Sequence, residues 1–96
     1  MKGYRRSMPD WYIYIVKCSD QSLYTGITRD VGRRVEEHNS NDLLGARYTR
    51  CRRPVTLVYE ESAPSRSEAA KREAAIKRLR RDEKKRLIAG KTAGSP

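Results

Sequence analysis

The chain has 96 residues, which is the size of one small domain. No apolar run reaches the roughly 18 residues that a membrane-spanning helix needs, which argues against a membrane protein. Twenty-two Lys and Arg against twelve Asp and Glu give a net charge of +10, the balance of a protein that binds a polyanion such as nucleic acid. A basic surface that only keeps the chain in solution is the alternative interpretation.

The two ends of the chain indicate the bounds of the folded domain, and the cysteines indicate the cellular compartment. Residues 1–10 are basic but lack the apolar stretch of a secretory signal, so they predict a flexible N-terminal arm. Residues 91–96 predict a disordered tail, which leaves 11–90 as the folded domain. Cys18 and Cys51 lack the paired spacing of a zinc site or a disulfide framework. We therefore expect a cytoplasmic protein, with association with the nucleoid as an option.

Two strands are predicted in the first third of the chain. Residues 11–17 and 23–27 are rich in aromatic and β-branched side chains, and the polar turn between them predicts an antiparallel hairpin. Because side chains alternate between the two faces of a strand, Tyr24 and Gly26 share one face of the second strand. By the same alternation, Tyr14 shares one face of the first strand with Tyr12 and Val16.

A helix is predicted to follow the hairpin. Asp30 has the chemistry of an N-cap, and residues 31–39 have the apolar spacing of a helix. Arg34 and His38 are four residues apart within it, which places them on the same side. Residues 41–54 hold glycine, proline and polar residues and predict a loop with room for one helical turn.

The second half predicts one more strand and two more helices. Residues 55–59 predict the third strand, and Ser65 with Glu68 fits the capping box of a helix that carries Glu73 beside its apolar face. A short helix over residues 82–89 is predicted to end at the following glycine. The element order β-β-α-β-α-α defines an α+β fold class, a small three-stranded antiparallel sheet flanked by helices.

Four segments are similar, in type and order, to the motifs of one nuclease family, and together they cover about residues 11–88. They are Tyr12-Ile-Tyr14 with Tyr24-Thr-Gly26, the run from Tyr24 to Asn39, the segment 70–77, and Gly45-Ala-Arg-Tyr-Thr49 with Arg53-Pro-Val55. The pattern resembles that of GIY-YIG nucleases, and the last segment resembles their stand-alone bacterial branch. Tyr12 stands where the family has its first Gly, and Thr25 where it has the middle Ile.

The resemblance implies a GIY-YIG-like fold, hydrolysis of phosphodiester bonds, and one divalent ion, Mg²⁺ or Mn²⁺. It implies catalytic roles for Tyr14, Tyr24, Arg34, His38 and Glu73, with Glu73 as the metal ligand. These residue types suit that chemistry, since one carboxylate with waters and substrate phosphate is a usual Mg²⁺ site and a planar guanidinium matches a phosphate. Either tyrosine could be the general base, and both are expected to face the helix that carries Glu73. His38 would relay a proton or hold the phosphate.

The remaining basic residues around this site predict a nucleic-acid-binding surface. A tyrosine among arginines can stack on a base while the arginines contact phosphates. Each residue alone has a simpler interpretation, such as strand packing for a tyrosine, a solvated face for an arginine, or an i, i+4 pair between Glu73 and Lys77. The predicted binding residues are Gly26, Arg33, Arg47, Tyr48, Arg50, Arg52, Arg53, Lys77 and Arg80.

The sequence thus predicts a metal-dependent endonuclease that is directed by DNA structure or damage, as in DNA repair. Weak sequence preference is expected, because a single small domain has no added recognition module. DNA is favoured over RNA, a protein partner could supply the target, and a monomer or weak dimer is expected. A non-catalytic nucleic-acid-binding module of the same fold is the main alternative, and a ribosome-associated basic protein is the third.

Overall fold

A computed structural model describes residues 10–93, with side chains described as far as residue 90. The predicted α+β class with one three-stranded antiparallel sheet is confirmed, and the strand order is β2-β1-β3. No helix in this part of the chain is long and apolar enough to cross a membrane. The elements are β1 (Trp11–Lys17), β2 (Leu23–Thr28), α1 (Val31–Ser40), α2 (Arg47–Arg50), β3 (Thr56–Ala63), α3 (Arg66–Lys77) and α4 (Arg81–Ala93).

Helices cover both faces of the sheet, so the central strand β1 is buried on both sides. On one face, Ile13 and Ile15 pack in a cluster with Ala69 and Ile76 of α3. On the other face, the cluster contains Tyr14 and Val16 of β1 with Val31 and Val35 of α1. Alternation along one strand therefore separates an aliphatic face under α3 from a tyrosine face under α1.

The helix starts follow the predicted cap residues. The side chain of Asp30 accepts a hydrogen bond from the backbone N–H of Arg33 at 3.1 Å, and Ser65 accepts one from Glu68 at 3.1 Å. Caps of this kind typically contribute about 1 kcal/mol. They define where α1 and α3 begin, and so which way the later residues of each helix point.

Two element boundaries differ from the sequence-based prediction. β3 runs on to Ala63, because it pairs along the whole of β1 with a register shift near Val16. α4 continues through Gly90 to Ala93, so the first half of the predicted tail is helical. A glycine costs a helix interior only about 1 kcal/mol, which its neighbours can offset. The predicted arm, apart from Asp10, and residues 94–96 lie outside the described residues.

Candidate active site

A buried hydrogen-bond network joins β1 to α1 and α2. Tyr14 is 1% exposed and His38 is 0% exposed, and Tyr14 Oη lies 2.8 Å from His38 Nε2. On the other side of the ring, His38 Nδ1 lies 3.0 Å from Thr49 Oγ1 and accepts from the Ala46 N–H at 3.3 Å. The Thr49 hydroxyl in turn donates to the Ala46 carbonyl at 2.9 Å, so both ring nitrogens of His38 belong to one closed network. His38 and the Tyr14 hydroxyl thus share a buried hydrogen bond, whose donor is set by the tautomer of the histidine.

Burial also keeps this histidine uncharged. Desolvation lowers the pKa of His38 to about 4, and the positive charges of Arg34 and Arg53 act in the same direction against the smaller opposing effect of Glu37. The ring is neutral at neutral pH and is closed to solvent. This geometry favours His38 as a group that orients Tyr14, and disfavours direct contact between its ring and a phosphate.

The buried histidine predicts that the fold loses stability in acid. The folded-state pKa of about 4 lies below the ordinary value of 6.5, so the unfolded chain binds more protons between these values. The stability is present above pH 6.5 and is lost as pH falls toward the folded-state pKa. Between pH 7 and pH 5 we expect a loss of about 2 kcal/mol in the free energy of unfolding, measured by urea denaturation.

A His38→Gln variant is the matched control for this prediction, because it can keep hydrogen bonds but does not titrate in this range. His38 is the single histidine of the chain, so no other histidine contributes to the difference between the two proteins. We expect the variant to be less stable at pH 7 and to show a flatter stability profile down to pH 5. Parallel profiles for the two proteins would contradict the neutral, buried state of the ring.

Gly26 makes room for the Tyr14 hydroxyl. The register of the hairpin pairs Tyr14 with Gly26, and a Cβ added at Gly26 would lie 2.5 Å from Tyr14 Oη. Any side chain at this position would push the ring out of its place. Gly26 is itself buried, so the structure gives it a packing role beneath the site, whereas the sequence predicted a nucleic-acid contact.

An aromatic stack leads from the buried histidine toward the surface. The half-buried Tyr24 packs edge-to-face on His38 with ring centroids 5.3 Å apart, and stacks on Tyr48 at 5.7 Å. The guanidinium of Arg52 lies over the exposed Tyr48 ring, 4.0 Å from its centroid. Tyr24 is thus the tyrosine of the motif pair that has an opening toward solvent.

Arg34 lies beside the Tyr14 hydroxyl and is held by two other groups. Its Nη1 donates to the Glu37 carboxylate at 2.9 Å and to the backbone carbonyl of Leu44 at 2.6 Å. The guanidinium lowers the pKa of Tyr14, but burial outweighs it and raises that pKa from 10.0 to about 12. Tyr14 therefore keeps its proton at neutral pH.

Glu73 approaches the tyrosines from a different side than expected. The prediction that both tyrosines face the helix of Glu73 is wrong, because α3 covers the opposite, aliphatic face. Glu73 lies between Ala69 and Ile76 along α3, and α3 also contacts the edge strand β2. Its negative charge contributes to the raised pKa of Tyr14, so its carboxylate is within electrostatic reach of that hydroxyl.

The donor set fits an ion of the Mg²⁺ type. Within the described side chains, no group of three or more His, Cys, Asp or Glu could hold a metal ion by itself. Mg²⁺ usually needs only one or two carboxylates, with waters and substrate phosphates as its other ligands. Glu73 can supply one carboxylate, since its ion pair at 3.2 Å is with Lys77, whose side chain is 52% exposed. Such an exposed ammonium is readily displaced.

The predicted nucleic-acid-binding residues separate into outward and inward groups. Arg47 and Arg50 are exposed side chains of α2, next to the Tyr48 ring of the aromatic stack. Arg53 points inward, where its Nε donates to the His38 carbonyl at 2.6 Å and its Nη1 pairs with Asp42. The outward group is thus the one with side chains available to a ligand.

Two further predicted residues lie outside the aromatic stack. Arg33 on α1 is largely exposed and only loosely paired with Glu37, at 3.7 Å. Arg80 stands just before α4 and pairs with Asp82 and Glu83 at 3.6 and 3.9 Å. Neither has a contact with the tyrosine–histidine network among the described interactions.

Sequence reasoning missed the residues that hold the site together. Thr49 and the Ala46 backbone were part of a recognised motif, yet their contact with His38 depends on how the loop after α1 folds back. Leu44 and Glu37 hold Arg34 in the same unanticipated way. Their spacing gave no periodic signal, because these contacts are between a helix and a loop.

The site suits the hydrolysis of a phosphodiester, because it combines the Glu73 carboxylate, the Arg34 guanidinium and two tyrosine hydroxyls beside a basic surface. A family profile described as the GIY-YIG catalytic domain matches residues 10–86. The chain belongs to the GIY-YIG nuclease family, which implies a nucleic-acid substrate and, in general, the use of a divalent metal ion.

Similar proteins share most of the length of this chain. A UPF0213 protein of Desulfotalea psychrophila is 55% identical over 86 residues, which cover 90% of this chain and 77% of that protein. A UPF0213 protein of Staphylococcus aureus is 56% identical over 81 residues, or 84% and 96% of the two chains. The solution structure of a UPF0213 protein from Bacillus halodurans has 43% identity, 82% coverage of both chains and a TM-score of 0.53. A solution structure from E. faecalis has 42% identity, coverage of 83% and 88%, and a TM-score of 0.55.

Proposed function

We propose that the protein is a metal-dependent endonuclease that hydrolyses phosphodiester bonds in DNA and is directed by DNA structure or damage. The observation that carries the proposal is the unequal environment of its two motif tyrosines. One hydroxyl is buried, with a pKa of about 12, while the other opens toward the basic surface. Paired titratable groups in such different environments are typical of an acid and base division in enzymes.

The unequal pair supports Tyr24 as the general base. A negative charge on Tyr24 raises the pKa of Tyr14, so ionising both would be costly. Tyr14 is closed to solvent and hydrogen-bonded to His38, which suits a hydroxyl that stays protonated. Tyr24 is the one that a water molecule and a phosphate can reach, and its oxygen would accept the proton of the attacking water.

Arg34 and Glu73 would bind the charged groups of the substrate site. Arg34 is a planar donor beside the Tyr14 hydroxyl, and it can exchange its contacts with Glu37 and Leu44 for phosphoryl oxygens. Glu73 would hold the divalent ion together with the substrate phosphate. When bound, such an ion stabilises negative charge on the phosphoryl and leaving oxygens.

The basic surface supports recognition of DNA shape over DNA sequence. Residues 41–53 carry four arginines against one acid, Asp42. Arginine contacts with phosphates position a protein on DNA without reading sequence, and the exposed Tyr48 ring suits a base that is free to stack. A protein partner that supplies the target, and a monomeric or weakly dimeric state, stay predictions.

The test is a substrate panel with the purified full chain. Intact duplex, nicked, bulged, branched and single-stranded DNA, with matched RNA strands, are incubated with Mg²⁺ or Mn²⁺ and with EDTA. We expect metal-dependent cleavage that favours the interrupted DNA substrates and has weak sequence preference. Absence of cleavage on every substrate, together with salt-dependent binding, would instead support the non-catalytic binding module. Cleavage of RNA alone would contradict DNA as the substrate.

A further inference from the structure

Two adjacent leucines project from the loop between α1 and α2. Leu43 is 93% exposed and Leu44 is 55% exposed, which makes them the most exposed large apolar side chains among the described residues. Scattered apolar residues are ordinary on protein surfaces, but two neighbours at the tip of a loop form a small apolar patch. These two side chains belong to neither of the two apolar clusters, and they have no part in the catalytic chemistry proposed above.

The loop is held in a defined shape although its leucines are exposed. The side chain of Asn41 accepts hydrogen bonds from the N–H groups of Leu43 and Leu44 at 2.9 and 2.8 Å. Gly45 is packed so closely that an added Cβ would lie 2.8 Å from the carbonyl oxygens of Asn41 and Glu37. A preorganised loop loses little conformational freedom when it binds, so its leucines can be inserted at low entropic cost.

Positive charges flank the apolar tip. The Leu44 carbonyl accepts from Arg34 at 2.6 Å, and the Asp42 carbonyl accepts from Arg50 at 3.1 Å. The acid of this loop, Asp42, is itself paired with Arg53. An apolar tip between arginines complements a polyanion whose interior is apolar and stacked, which is the chemistry of DNA bases between phosphates.

We propose that Leu43 and Leu44 are a wedge that inserts between bases where DNA is already interrupted, at a nick, bulge or branch. Apolar side chains inserted between base steps are a known way to unstack DNA, and an interrupted step is the least costly to open. The Leu44 carbonyl holds Arg34 beside the wedge, so an inserted wedge would bring that guanidinium close to the interrupted step, where it can release the carbonyl for a phosphate. The inference rests on the proposed function only in taking DNA as the ligand.

Binding in EDTA tests the wedge independently of catalysis. The full chain is titrated with an intact duplex and with the same duplex carrying a one-base bulge next to a 2-aminopurine, whose fluorescence rises when it unstacks. We expect wild type to favour the bulge by about tenfold and to raise the fluorescence. The Leu43→Asn, Leu44→Asn double variant is expected to bind both duplexes equally, with unchanged affinity for the intact one.

Leu57→Asn is the matched control, because Leu57 is also an exposed leucine but lies on β3. It is expected to keep the preference for the bulge, and circular dichroism verifies the fold of each variant. The proposal is overturned if wild type has no preference, if the double variant keeps it, or if the double variant loses both duplexes equally. If wild type binds anionic vesicles and the double variant does not, while both proteins prefer the bulge equally, the leucines contact a lipid surface instead.

The wedge and the proposed endonuclease can fail separately. If the wedge is confirmed and wild type cleaves no DNA, the wedge stands and the proposed endonuclease is refuted.

Discussion

Replacing Glu73 by Gln is expected to lower the rate of DNA cleavage by about 10³-fold and to leave DNA affinity nearly unchanged. The amide keeps the size of the side chain but removes the charge that a divalent ion needs. Within the described side chains, no group of three or more His, Cys, Asp or Glu could hold the ion in its place. Single-turnover cleavage at saturating protein measures the rate, and binding in EDTA measures the affinity.

Glu68→Gln is the matched control for the loss of a negative charge on α3. Glu68 lies in the first turn of the same helix, and its exposed side chain pairs with Lys71 at 3.9 Å. We expect this variant to cleave at the rate of wild type. Equal rates for the Glu73→Gln variant and wild type would show that Glu73 is only the partner of Lys77.

Tyr24→Phe is expected to lose about 10³-fold in rate, because it removes the proposed base, whereas Tyr14→Phe is expected to lose about 10² or less. Tyr14→Phe also removes the hydrogen-bond partner of His38 Nε2, which leaves a buried ring nitrogen unpaired. That variant should therefore unfold about 1–3 kcal/mol more easily, while Tyr24→Phe should be close to wild type.

The two tyrosine variants are compared by single-turnover rates at several pH values and by urea denaturation. A rate profile that rises with pH in wild type and in Tyr14→Phe, but is flat and low in Tyr24→Phe, is the expected pattern. The reverse order of the two rates would assign the base to the buried tyrosine. It would also show that burial does not separate the two tyrosines into a proton donor and a base.

The parts of the fold that local chemistry determines were predictable. Asp30 and Ser65 can cap a helix by contacts within a few residues, so α1 and α3 begin where the sequence predicted. Strand alternation likewise placed Tyr14 on a defined face of β1. The end of α4 was not predictable in this way, because Gly90 weakens a helix locally while its neighbours continue it.

The contacts that complete the site depend on tertiary packing and were not predictable. Periodicity identifies the apolar side of α3, but it does not say which face of the sheet that side covers, so the prediction that both tyrosines face α3 was wrong. The register pairs Tyr14 with Gly26, but the close approach of the hydroxyl to this glycine depends on the orientation of the Tyr14 side chain, which strand pairing does not determine. The contact of Thr49 with His38 requires a loop to fold back.

The structure contains the i, i+4 ion pair between Glu73 and Lys77 that is the simpler interpretation of this glutamate. Its ion pair with Lys77 is the i, i+4 contact that the sequence allowed, and pairs of this kind contribute only about 0.3–0.5 kcal/mol. So weak a contact does not explain a carboxylate on the buried side of α3. Metal binding would explain the position of this carboxylate. An experiment can test it, because the metal ion can be removed and added again.

The most direct test of a metal-dependent nuclease centre is a metal switch on a single branched DNA. The full chain and its Glu73→Gln variant are each incubated with the DNA in EDTA, and excess Mn²⁺ is then added to both. We expect no cleavage before the addition, strand cleavage by wild type after it, and about 10³-fold slower cleavage by the variant. Equal cleavage with and without Mn²⁺, or equal rates for the two proteins, would contradict this expectation.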